Sequence, residues 1–60
     1  ERELDVLRMI ASGATNQQIA SRLVITIGTV KSHINHLLAK LQAGNRTEAV
    51  ARARRFGLLE

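Results

Sequence analysis

The chain has no cysteine, no proline, no tryptophan and no tyrosine, and its single aromatic residue is Phe56. Without cysteine, neither a disulfide nor a thiolate metal site can staple it. Without aromatics, the core has to be aliphatic, built from Leu, Ile, Val and Ala. No apolar run approaches the roughly 20 residues that span a bilayer, and the opening Glu1-Arg2-Glu3 is not a signal-peptide start. The lack of cysteine agrees with a cytoplasmic setting, which is the expected location.

Negative charge is also missing, in one place. Between Val6 and Arg46 there is no Asp or Glu, whereas Arg8, Arg22, Lys31, Lys40 and Arg46 all fall there. The acids sit at the edges, as Glu1, Glu3, Asp5, Glu48 and Glu60, and the net charge is +4. An acid-free central segment suits an anionic partner, a nucleic acid or a membrane surface. Catalytic parts are absent as well: there is no paired-carboxylate pattern, no Gly-rich phosphate loop and no His–acid spacing, so no enzyme is expected.

What is present is a 60-residue chain that is 45% hydrophobic, read as one small domain over 1–60. At this size folding buries only about 60% of the unfolded surface, and a compact helical bundle is the economical solution. Caps and periodicity predict four helices, at about 1–12, 16–23, 27–41 and 46–56. Val6, Leu7 and Ile10 share a face of the first, which Gly13 stops as a left-handed C-cap. Thr15-Asn16-Gln17-Gln18 fits a capping box that opens the second, with Ile19, Ala20 and Leu23 as its buried side. Val24 and Ile25 form a tight connection to Thr26, the N-cap of the third. There Val30, Ile34, Leu37, Leu38 and Leu41 make a single apolar stripe. Asn45-Arg46-Thr47-Glu48 is a second capping box, Gly57 closes the last helix, and Leu58 and Leu59 are placed to fold back on the bundle.

A short helix, a turn of about three residues and a longer helix form a helix-turn-helix unit. Its second helix enters the major groove of DNA. Opposite the stripe lie Gly28, Lys31, Ser32, Asn35 and Ala39, a narrow face suited to a groove about 12 Å wide. Lys31 can donate to guanine, Asn35 can bond an adenine edge with both ends of its amide, and Ser32 can do either. Thr29, His33, His36 and Lys40 flank that face and suit phosphates, which set affinity and orientation. Asn16, Gln17 and Gln18, at a helix N-terminus, are further phosphate candidates. Each has a plain reading too: solvated lysines, a first-turn threonine, capping glutamines. His33 and His36 are three apart, but with no Cys and no acid nearby no metal site is expected, and no cofactor.

Three blocks, TNQQIASRL, VITIGTVKSHINHLLAKL and NRTEAVARARRFGLL, together resemble the LuxR-type (GerE- or FixJ-type) DNA-binding domain of bacterial transcription regulators. The resemblance covers nearly the whole chain, and a generic helix-turn-helix does not share the last block. It implies a four-helix, all-α domain that binds double-stranded promoter or operator DNA through helices two and three, as a C-terminal output module. It places base contacts on Lys31, Ser32 and Asn35 and phosphate contacts on Thr29 and Lys40. It also implies a homodimer on DNA through helix four, with Val50, Ala51 and Arg54 near the symmetry axis. The Ile27-Gly28 pair and the GLL ending look most like the C-terminal domains of large ATP-dependent regulators, so a sensor or ATP-binding region is expected on the N-terminal side.

The chain departs from that pattern at two places. Gln42 and Ala43 stand where the family commonly has Gly then Val. A left-handed cap costs more at Gln than at Gly, so helix three is expected to end differently, with Gly44 absorbing the turn. Ile27 stands where the family often has an acid or Pro, and no contact is assigned to it. Finally, Glu3 shares a face with Leu7 and Ile10, unusual for an unpaired carboxylate. A salt bridge from Glu3 to Arg46, tying helix one to helix four, is the expected remedy.

Overall fold

A computed structural model describes residues 2–59, which form four helices and, among the described residues, no strand. They are α1 (Arg2–Ala11), α2 (Asn16–Leu23), α3 (Ile27–Leu41) and α4 (Arg46–Arg55). Glu1 and Glu60, the two terminal acids, lie outside the described residues. The longest helix, α3, has 15 residues, about 22 Å at 1.5 Å per residue. It packs against each of the other three, and α1 also packs on α4. A helix surrounded in this way needs an apolar stripe along its length, which Val30, Ile34, Leu37, Leu38 and Leu41 supply. Of these Val30, Leu37 and Leu41 are buried, and Ile34 and Leu38 are half-buried against the core.

The core is aliphatic throughout: Val6, Leu7, Ile19, Ala20, Val30, Leu37, Leu41, Ala49 and Ala53. Phe56 stays outside it, 62% exposed. The buried residues of α4 are Ala49 and Ala53. That helix therefore contributes only methyl groups at those positions, and the larger side chains of α1 and α3 fill the core. Leu59 folds back against the core, as its position suggests, while Leu58 remains half exposed.

The helix starts follow the local chemistry of their caps. The Thr15 hydroxyl accepts from Gln18 N at 3.1 Å, and the Gln18 side chain accepts from Thr15 N at 2.9 Å, a complete capping box. Thr26 Oγ1 accepts from Thr29 N at 3.1 Å. At α4 the box is only half made. Asn45 Oδ1 accepts from Glu48 N at 2.8 Å, but Glu48 Oε1 takes the amide of Gly44 instead of Asn45, at 3.0 Å. The carboxylate reaches one residue further back and steadies the α3–α4 turn.

All four helices end in the same closure. A residue with positive φ follows the last turn, its N–H bonds three residues back, and the next N–H bonds five back. The left-handed residues are Gly13, Val24, Gln42 and Gly57. The five-back bonds are Ala14 N to Met9 O, Ile25 N to Ala20 O, Ala43 N to Leu38 O and Leu58 N to Ala53 O, at 2.8–3.0 Å. Gly13 and Gly57 take that conformation without a Cβ penalty. Val24, at φ 56°, ψ 49°, and Gln42, at φ 53°, ψ 41°, do not. The expectation that Gly44 absorbs the turn after α3 is therefore wrong: Gln42 turns left-handed itself, and Gly44 has no positive φ. The reason lies in the next residue. Ala43 packs against the core, so a closure one position later would swing it away.

Candidate nucleic-acid interface

The exposed side of α3 is polar and carries no acid. Gly28, Lys31, Ser32, Asn35 and Ala39 are all exposed, as are Thr29, His36 and Lys40 beside them, and His33 is half-buried. A helix that only meets water usually mixes charge signs, since opposite charges three or four apart support it. Here the donors Lys31 and Ser32 share one turn and Asn35 stands on the next, about 6 Å along the axis from Lys31. Thr29 is tied to the cap: its hydroxyl lies 3.0 Å from that of Thr26.

Gly28 lies in the middle of this face. A Cβ added there would meet only Thr26 Oγ1, at 3.8 Å, an ordinary contact. Its φ is not positive, so neither the turn nor the packing requires glycine. In a helix glycine costs roughly 0.5–1 kcal/mol relative to alanine.

The flank toward the C-terminal end of α3 meets α1. Lys40 Nζ donates to Glu3 Oε1 at 2.6 Å, and His36 Nδ1 lies 3.4 Å from Glu3 Oε2. The expected Glu3–Arg46 bridge is not formed. Glu3 stands at the start of α1 beside the last turn of α3, whereas Arg46 lines a groove with Ile10 and Ala11 at the other end of α1. Arg46 turns the other way: its Nη2 donates to Asn16 Oδ1 at 2.8 Å, tying the start of α4 to the start of α2. Lys40 and His36 nevertheless stay accessible, with side chains 63% and 67% exposed.

The Glu3 carboxyl is held below the ordinary glutamate value. The hydrogen bond from Lys40 is the main cause; desolvation opposes it, and the charges of Lys40 and His36 add to it. A depressed folded-state pKa means stability that is present above the unfolded value, about 4.3, and lost as pH falls through the lowered one. In thermal melts across pH 2–7, the native chain should be more stable than Glu3→Gln near neutrality. That difference should shrink to nothing on acidification through the lowered Glu3 pKa. A difference that persisted unchanged at pH 2 would show that the pair does not titrate as described.

At the other end of α3 an open groove of about 820 Å³ runs between the starts of α2, α3 and α4, with Asn16, Gln17, Ile27, Arg46 and Thr47 among its lining. Gln18 spends its carbonyl on the cap and Asn16 on Arg46, whereas Gln17 has no part in the capping box. Sequence reasoning singles out both Glu3 and Arg46 but pairs them with each other; in the structure Glu3 takes Lys40 and Arg46 takes Asn16. Glu3 signals its need for a partner, as a carboxylate on an otherwise apolar face, but nothing in the sequence signals which partner either residue takes. Val50 is half-buried, and Ala51 and Arg54 are exposed on α4. Among the described residues no group of three His, Cys, Asp or Glu could hold a metal ion.

Comparison with known proteins agrees with this architecture. The family described as "Bacterial regulatory proteins, luxR family" matches residues 1–53. Response regulator protein VraR of Staphylococcus aureus (strain NCTC 8325 / PS 47) is 47% identical over all 60 residues, as is its counterpart in Staphylococcus epidermidis. This chain spans 29% of the length of each. Among solved structures it is similar to the crystal structure of response regulator ChrA in a heme-sensing two-component system. There the TM-score is 0.93 at 40% identity, over 97% of this chain and 29% of that one.

Proposed function

The chain belongs to the luxR family of bacterial regulatory proteins, and on that footing we propose that it binds double-stranded DNA sequence-specifically, as the C-terminal output domain of a transcription regulator. In this reading α3 lies in the major groove and the chain itself is not an enzyme. The observation that carries it is the exposed, acid-free face of α3, where Gly28, Lys31, Ser32, Asn35 and Ala39 all stand clear of the bundle. A face meant only for solvent has no use for that one-signed, groove-width row of donors.

Lys31, Ser32 and Asn35 read base edges, the lysine on guanine and the asparagine on adenine. Thr29, His36, Lys40, Asn16, Gln17 and Gln18 take phosphates. For Asn16 the amide N–H groups are the part a phosphate uses, since its carbonyl already accepts from Arg46. Two copies meet through α4, with Val50, Ala51 and Arg54 at the contact, so that the operator carries two half-sites. A sensor or ATP-binding region of the whole regulator lies on the N-terminal side of this domain, and the protein works in the cytoplasm beside its DNA. No helix among the described residues is long and apolar enough to cross a membrane.

Selection of bound duplexes from a random library, followed by a salt titration on the recovered site, tests the reading. A defined half-site should be enriched, and log K should fall linearly with log salt. Failure to enrich any sequence, with salt-dependent binding to every duplex alike, would reduce the chain to a non-specific basic module.

A further inference from the structure

Ile27 is 43% exposed at the first position of α3, one turn before Lys31, and it is the only large apolar side chain exposed on that helix among the described residues. Its neighbour Gly28, about 100° further round the helix, leaves the centre of the polar face bare for no reason internal to the fold. The two features have one explanation in common. A backbone without Cβ lets a base edge come close, and an apolar side chain beside that opening meets the one apolar group on the major-groove edge, the thymine C5-methyl.

We infer that Ile27 and Gly28 together form a thymine-methyl contact that sets sequence preference beside the base pair read by Lys31. The inference rests on the DNA-binding reading above. Four residues of helix advance about 6 Å and base pairs are spaced by about 3.4 Å, so the thymine lies within about two base pairs of the guanine that Lys31 contacts. Polar residues at these positions would serve a cap or a phosphate equally well; an isoleucine serves neither.

The test uses the duplex recovered from a random library with the native chain. Each thymine within two base pairs of the guanine assigned to Lys31 is replaced by deoxyuridine, which removes only the methyl group. At one position this should weaken binding by the native chain about fourfold, the loss expected for one buried methyl. The Ile27→Ala variant should bind the thymine and uracil duplexes equally. Gly28→Ala should raise Tm, because alanine is the better helix former, and yet weaken binding to the same duplex about fivefold or more, the size of one lost base contact. A merely structural glycine could not move the two readouts in opposite directions. The inference is overturned if the uracil effect is the same in the native chain and Ile27→Ala, or if Gly28→Ala binds as tightly as the native chain. Failure to recover any preferred duplex would instead sink the DNA reading itself.

Discussion

Replacing Asn35 by alanine is expected to remove about 1–3 kcal/mol of discrimination at one adenine, the value of a bidentate pair in the major groove, while leaving binding to unrelated duplexes almost unchanged. Asn35 is exposed on the outer face of α3, so its loss opens no cavity, and a mid-helix Asn→Ala change favours the helix slightly. The variant should therefore be at least as stable as the native chain and less selective. Lys40→Ala makes the contrast: its effect should be nearly uniform across sequences, because a phosphate carries no base identity. Competition binding with the selected site and a scrambled duplex separates the two. Equal losses on both duplexes from both variants would mean that the division of α3 into base-reading and phosphate-holding residues is wrong.

Glycine at position 24 or 42 should stabilise the domain by about 1 kcal/mol each. An L-residue in the left-handed region costs about 1–2 kcal/mol, and part of the relief is returned because glycine gives the unfolded chain more freedom. Val24 is β-branched and 88% exposed, so its removal sacrifices little packing. Gln42 is likewise exposed. For a domain of this size about 1 kcal/mol corresponds to about 4–8 °C in Tm. Total stability for 60 residues is on the order of 3–9 kcal/mol, so the double variant should be conspicuous in a thermal melt. Unchanged Tm in both single variants would mean that the left-handed closures are not strained. The two non-glycine closures bracket α3, one on either side. Natural sequences hold such strain where the surroundings over-determine it, and here Ile25 and Ala43, each the next residue, are anchored on the core.

Local chemistry was legible in the sequence and the way the helices are placed along one another was not. Thr15 and Thr26 announce helix starts because a cap involves only the three residues that follow it. The stripe from Val30 to Leu41 announces the buried side of α3, and with it the open side, because helical period alone relates them. The left-handed turns at Val24 and Gln42 are hidden, since propensity argues against them and tertiary anchoring overrides it. Glu3 and Lys40 stand 37 positions apart. The start of α4 lies at the far end of α1 from Glu3, and which helix end meets which is something no periodicity encodes. The Asn45 box is an intermediate case: both residues are where they should be, and the carboxylate chose Gly44.

Glu3 occupies Lys40 before any phosphate does. In the proposed complex, a phosphate that takes the lysine leaves the carboxylate to solvent cations, which offsets part of the counterion release from the duplex. On that reading the salt dependence of binding undercounts the phosphates that α3 contacts, and the reaction at this flank is ion exchange rather than ion capture.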